Sequence, residues 1–479
     1  MSTGNISSRI CFTKLILRAI LTVKKVDVNG VLSQAITRYH KLLTADEYRS
    51  LAWAEELQEQ MRQRGLTDSG RLLSPVLRPQ FISRRQLENL TNAAERLSGI
   101  LERIEALALE SPALLNRLQM LPAEKMLAAM PGGYSQFRVS CRMDAYLENG
   151  SLAVRGLDTC RPGGLACASL LADLFVELPI VKAFKRGRYK LSKVGGGVAR
   201  LHAAVLQAWK DFGGRHQPNI AIVEFGEQFG AGSNESRFLA EAFTERGTPA
   251  RVVSPARLTY SQGKLRDGDF EIDVVFRCVM TRELLTHFDL SHPLLRAYRD
   301  RAVCVVNNFR SEVAQRRSLF DLVTDESVTS RLPLPDRKLI RAFVPWTRVV
   351  AARKTKYWER DVDLPEFILK SRAELVLRPN EDGGDRHVFV GAGMTQSAWE
   401  HALRIALRAP YVVQERLCAA AQEVPVYQYG ELRMREAEVS IHPHVFGGRM
   451  HGASAALEIS SGGCSTPLAV APVLLLEER

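Results

Sequence analysis

Residues 141–164 read CRMDAYLENGSLAVRGLDTCRPGG, and this stretch decides the fold. Two runs of alternating apolar and polar residues flank Asn149-Gly150, the dipeptide that favours a tight hairpin turn, so the stretch predicts paired antiparallel strands. Asp144 and Asp158 then lie on or just after those strands, with Glu148 in the turn. Two carboxylates facing one way suit Mg²⁺, which takes one or two carboxylates plus phosphate oxygens, although a pair of solvated strand-end acids reads equally well. A turn at Pro162-Gly163-Gly164 ends the unit, and the chain resumes as a helix through Leu174.

Upstream, residues 30–121 are helical in pattern: Leu32, Ile36, Leu43, Leu51, Ala54 and Leu57 recur at helix spacing, and residues 87–107 repeat it. Pro75 and Pro79 interrupt the region, and Ser83 with Gln86 forms a capping box that starts the second long helix. Residues 10–23 predict an amphipathic helix, because Lys14 and Arg18 break the apolar run that a membrane anchor or signal peptide would need.

Downstream, NIAIVEF (219–225), ARVVS (250–254), IDVVFRCV (272–279) and AVCVVNNF (302–309) alternate with helical pattern, which predicts an open, parallel α/β unit. Residues 332–479 are mixed, with strands ELVLRP, HVFVG, YVVQERL and EVSIHPHVF around one helix at 398–407.

The chain has 479 residues, 46% of them hydrophobic and 25% charged, which excludes disorder and leaves room for about three domains. Its net charge of +12 favours an anionic partner, but the arginines are scattered along helices, without the clustering that specific nucleic-acid binding needs. Eight cysteines without a CxxC pair indicate neither a zinc ribbon nor a disulfide framework and fit a reducing cytoplasm.

Further constellations bear on chemistry. VVAARKT (349–355) and LRPNEDGG (377–384) offer Lys354, Arg378 and free backbone at Gly383 and Gly384, which is what a polyphosphate requires. Solvated surface residues are the plainer reading of each cation alone. YVVQERL ends in Gln414 and Glu415, which suit an adenine amino group or simply cap an edge strand. His442 and His444 share a strand face and His451 follows, an incomplete ligand set for zinc.

The order of the pieces carries more than any one of them. HPLLRAYRDRAVCVVNNFRSE, LFDLVTDE, FVPWTRVVAARKT, LVLRPNEDGG, PYVVQERL and HPHVFGGRMHG with a late SSGG, preceded by the hairpin, resemble the circularly permuted ATP-grasp proteins related to glutathionylspermidine synthetases. The resemblance runs over roughly residues 75–475. It implies an α+β and α/β chain with a helical N-terminal region (1–110), a metal-side ATP-grasp half (111–215), an inserted open α/β domain of the pre-ATP-grasp kind (216–330) and nucleotide-side lobes (331–479).

The resemblance further implies an ATP-dependent ligase. In that class a carboxylate is phosphorylated to an acylphosphate, which an amine or thiol then attacks, with ATP and Mg²⁺ as cofactors and small-molecule or peptide substrates. Carried over, Arg142, Lys354 and Arg378 are the catalytic cations, and Asp144 and Asp158 the metal ligands. Lys354, Arg378, Asn380, Gly383, Gly384, Gln414 and Glu415 contact the nucleotide. Neither specific nucleic acid nor membrane is expected as a partner. The chain departs from the family where Gly156 replaces a metal-binding Glu, where Asp385 enters the phosphate-covering loop, and where Ala456 stands for a late Arg. These departures keep a second reading open, an impaired ATP-grasp fold used for binding or scaffolding.

Overall fold

A computed structural model describes residues 28–479 except 69, 149–150, 161–162, 226–233, 382–386, 418–420, 462–463 and 466–468. The helix expected at 10–23 lies outside the described residues. Seven elements build the site and are labelled in chain order: β1 (Ser140–Glu148), β2 (Ser151–Asp158), α1 (Leu165–Glu177), β3 (Leu375–Pro379), β4 (Tyr411–Glu415), β5 (Glu431–Phe446) and β6 (Arg449–Ser461).

The central sheet runs Gln80–Ser83, Ala469–Glu478, β6, β5, β1, β2. Only the first pair is parallel; the others are antiparallel. β1 and β2 pair as the alternation predicts, with Glu148 opposite Ser151 across the turn. The period of two then sorts the side chains. Met143, Ala145, Val154, Val439, Ile441, Ala455 and Leu457 enter one core with Leu90, Leu97, Leu101 and Ile104 of the long helix Arg84–Glu110. That helix starts at the expected box: Ser83 Oγ accepts from the Gln86 amide at 3.2 Å, and Gln86 Oε1 accepts from the Ser83 amide at 3.0 Å. Losing such a cap costs about 1 kcal/mol.

The sheet draws on distant parts of the chain. Strand Gln80–Ser83 comes from the region read as helical, and β5, β6 and Ala469–Glu478 come from the last block, yet all join the hairpin at 140–158.

The α/β unit is present, with strands Cys304–Val306, Val274–Arg277, Ile220–Val223 and Ala250–Val253 in that order and all parallel. Ile220–Val223 and Val274–Arg277 are buried throughout, which is why they read as unbroken apolar runs. An antiparallel trio, Leu258–Ser261, Lys264–Asp267 and Phe270–Ile272, adds to it. The last block holds a second small sheet, Thr347–Val349, β4, β3 and Phe389–Val390, all antiparallel. Helices Leu364–Lys370 and Gln396–Ala406 cover it through a core containing Trp346 and Trp399. Among the described residues no helix is long and apolar enough to cross a membrane.

Candidate functional site

The central sheet's second face is polar. Because Met143, Ala145, Val439 and Ile441 point into the core, their neighbours Arg142, Asp144, Ser440, His442 and His444 point away from it. Register sets them in rows: Ser454 pairs with His442, Gly452 with His444, His444 with Arg142, and Arg142 with Asp158. Asp144 pairs with Gly156 just before a register shift in β1.

The two expected metal ligands converge on one guanidinium. Arg142 Nε lies 3.1 Å from Asp144 Oδ1 and its Nη2 3.4 Å from Asp158 Oδ2, while Nη1 donates to the Gly163 carbonyl at 3.1 Å. His442 Nδ1 stands 3.3 Å from the same Asp144 oxygen. Burial alone would raise the Asp144 carboxyl, but Arg142, the His442 contact and Arg155 outweigh it and hold the group well below the carboxylate range. Asp158 also accepts from the Cys160 amide at 3.2 Å. Gly156 leaves room beside this cluster, since a Cβ there would meet only Asp144 atoms, the nearest at 3.9 Å.

Of the three histidines treated as a separate feature in the sequence, His442 and His444 belong to this cluster, whereas His451 stacks on Phe446. His442 Nε2 is 2.9 Å from Ser440 Oγ, and His444 Nε2 is 3.0 Å from Ser454 Oγ. Burial, then Arg142 and His442, push His444 well below the usual histidine range and keep it neutral. The link was not legible because His442 and Asp144 are nearly 300 positions apart and meet only through the pairing of β5 with β1. Among the described residues no group of three or more His, Cys, Asp or Glu side chains is arranged to hold a metal ion.

Opposite this face, α1 begins at Gly164, whose φ of +88° is a conformation that glycine adopts without strain. The first turn of α1 is capped from the α/β unit, where Glu235 accepts from the Ala166 and Cys167 amides at 2.7 and 2.9 Å.

The expected nucleotide residues take varied places. Gln414, at the end of β4, donates to the Arg155 carbonyl at 3.3 Å and to Thr347 Oγ1 at 3.0 Å, which brings the small sheet against β2. Glu415 is buried and accepts from the Trp346 amide at 2.9 Å, the Tyr357 hydroxyl at 2.8 Å and Trp358 Nε1 at 3.3 Å. Asn380 is fully buried: its Oδ1 accepts from the Ser318 amide and its Nδ2 donates to the Leu118 carbonyl, each at 2.8 Å. Arg378, on β3, stands opposite Val412. Lys354 is exposed at the start of a separate two-stranded hairpin, opposite Asp363. Gly383 and Gly384, with Asp385, lie outside the described residues.

No protein-family model matches the sequence, and no curated protein matches it. Among solved structures the chain is similar to a glutathione synthetase-like effector from Globodera pallida in its apo form. That match has 13% identity and a TM-score of 0.53 and covers 91% of this chain and 96% of the other. A putative gamma-glutamylcysteine synthetase from Methylobacillus flagellatus aligns at a TM-score of 0.39 with 9% identity, over 81% and 86% of the two chains. The ATP-grasp ligase PsnB, complexed with minimal precursor, aligns at 0.26 with 12% identity, over 55% and 90%. At such identities the likeness is one of fold. The chain has the mixed α+β ATP-grasp fold, in the arrangement of the glutathione synthetase-like protein.

Proposed function

We propose that the protein is an ATP-dependent ligase, joining a small-molecule or peptide carboxylate to an amine or thiol through an acylphosphate on a circularly permuted ATP-grasp scaffold. The observation that supports this reading is the Gln414–Arg155 contact. It sets the sheet carrying Arg378 and Gln414 against the hairpin carrying Arg142 and Asp158.

In this reading Lys354 and Arg378 offset charge on the transferring phosphoryl group, and preformed cations are effective there because they need no reorganisation during the reaction. Arg keeps the charge of the usual Lys at 378 and adds a fork of donors. The end of β4 meets the adenine through its backbone, since the Glu415 carboxylate already holds Trp346 and Tyr357. Asn380 serves the nucleotide by anchoring β3 where the chain enters the phosphate-covering loop. Asp158 would hold Mg²⁺, which would supply charge neutralisation on the phosphates when bound, while Asp144, shared by Arg142 and His442, orients those two groups.

A second reading, an impaired ATP-grasp fold that binds or scaffolds, is favoured by Gly156. No side chain stands there opposite Asp144, and the chain's own guanidinium joins both remaining acids. Calorimetric titration with a non-hydrolysable ATP analogue, with and without Mg²⁺, separates the two. Mg²⁺-dependent binding that weakens in Lys354→Ala supports the ligase. No binding at high nucleotide concentration supports the second reading and directs the search to protein partners.

A further inference from the structure

The pairing of β1 with β2 slips by one residue beside Asp144. Asp144 stands opposite Gly156 and Ala145 opposite Val154, so Arg155 is an extra residue on β2 with no partner across the ladder. A bulge of this kind re-aims a side chain. Val154 still enters the core, while the Arg155 guanidinium lies 4.9 Å from the centre of the Tyr146 ring and donates from Nη1 to the Tyr146 hydroxyl at 2.7 Å. Tyr146 follows the core residue Ala145 in the alternation of β1 and so shares the polar face of Arg142 and Asp144. β2 is the edge of the central sheet. At that edge the Arg155 carbonyl meets Gln414, whereas its side chain crosses inward over β1.

This cation is uncommitted. Asp144 is taken by Arg142 at 3.1 Å and by His442 at 3.3 Å, and among the described residues no carboxylate forms an ion pair with Arg155. Arg155 and Tyr146 are only half-buried, so solvent reaches them. Register sets Tyr146, Ser440 and Ala456 in one row across three strands. Ala456, also half-buried, contributes only a methyl, and a Cβ on Gly156 would meet only Asp144 atoms, the nearest at 3.9 Å. A held guanidinium with spare donors beside such open backbone suits an anion that enters from solvent.

We propose that Arg155 holds the terminal phosphoryl group of ATP and so makes the site select a nucleoside triphosphate over a diphosphate. The assignment rests on the ligase reading, in which the adenine lies at the end of β4. Gln414 fixes that end against the sheet edge, so a guanidinium that reaches inward from the same edge residue meets the phosphate chain at the end far from the base. Tyr146 engages one nitrogen of the fork and leaves the others for phosphoryl oxygens. Because the group is already held against Tyr146, it needs no reorganisation when charge builds on those oxygens.

The test is calorimetric titration of the full-length protein, in the presence of Mg²⁺, with a non-hydrolysable ATP analogue and separately with ADP. The wild type should bind the analogue more tightly than ADP. In Arg155→Ala, affinity for the analogue should fall about 10- to 100-fold, as for loss of hydrogen bonds from a charged group, while affinity for ADP stays within about 2-fold. Arg155→Lys should recover part of that loss. Tyr146→Phe, which removes only the hydroxyl that steadies the guanidinium, should show a smaller loss with the same selectivity. A packing role would move both nucleotides together. Equal losses for the two nucleotides, or an unchanged preference in a cooperatively melting Arg155→Ala, would overturn the proposal. Should Arg155→Ala fail to fold, an unchanged preference in both Arg155→Lys and Tyr146→Phe overturns it instead. A wild type that binds the analogue and ADP equally overturns this proposal and leaves the ligase reading standing, whereas a wild type that binds neither overturns both.

Discussion

Asn380 is the residue at which a binding role and a folding role give opposite predictions. It is fully buried and spends both ends of its amide on the scaffold: Oδ1 on the Ser318 amide and Nδ2 on the Leu118 carbonyl, each at 2.8 Å. The surrounding contacts reinforce the joint, because Arg317 donates from its amide to the Asn380 carbonyl at 2.9 Å and from Nη1 to the Pro379 carbonyl at 2.8 Å. Asn380→Ala strands the buried Ser318 N–H, while the Leu118 carbonyl keeps the Ser318 hydroxyl as a donor at 2.9 Å. An orphaned buried group costs about 1–3 kcal/mol, and the substitution should destabilise the small sheet by that much. That is a large share of a stability of typically 5–15 kcal/mol. Trp346 and Trp399 are fully buried in the same lobe, so tryptophan fluorescence during urea unfolding reports on it directly. Asn380→Asp is the companion variant: it keeps the acceptor for Ser318 but turns an oxygen towards the Leu118 carbonyl, and should cost at least as much. A change below about 0.5 kcal/mol in Asn380→Ala, within the range of ordinary surface substitutions, would refute the structural assignment. Loss of nucleotide-analogue binding at unchanged stability would instead restore the direct contact.

Three further outcomes are expected. His40 is lowered from 6.5 to about 4 by burial and then by Arg78, so the unfolded chain binds more protons across that window. Stability should therefore be full above the ordinary histidine value and fall as pH drops towards about 4, and melting curves of His40→Leu should lose that component of the acid slope. Arg78 is 2% exposed, its Nε and Nη1 have no partner, and Nη2 reaches only the Glu423 carbonyl at 3.5 Å. Arg78→Met should raise the melting temperature, by roughly 1 kcal/mol or more of stability, because it removes a buried charge without an acid; a lower melting temperature would contradict this. Gly156→Glu has room for its Cβ, 3.9 Å from Asp144 Oδ2, and sets a second carboxylate beside the first. It should lower stability without divalent ions and give Mg²⁺ a larger stabilising effect than in the wild type; equal responses to Mg²⁺ would count against a metal-side role for this face.

Local pattern was legible where it had a local cause. The hairpin at 141–158, the capping box at Ser83 and Gln86, and the four parallel strands of the α/β unit follow from alternation, side-chain hydrogen bonding and unbroken apolar runs. The antiparallel trio at 258–272 was missed because its short strands, some largely exposed, carry little periodic signal. Glu415 and Asn380 were read by motif position as nucleotide contacts, but their side-chain partners, Trp346, Tyr357, Ser318 and Leu118, lie tens to hundreds of residues away.

From the sequence alone came the element types, the ordered run of family-like segments, and the placement of acids on a hairpin, since each depends on residues close together along the chain. Tertiary structure alone decided what those acids meet. Strand pairing between β1 and β5 set Asp144 against His442, and pairing between β1 and β2 set Arg142 between Asp144 and Asp158. Cross-strand register brings together residues with no relation along the sequence, and a shift of one residue would have turned every one of them into the core.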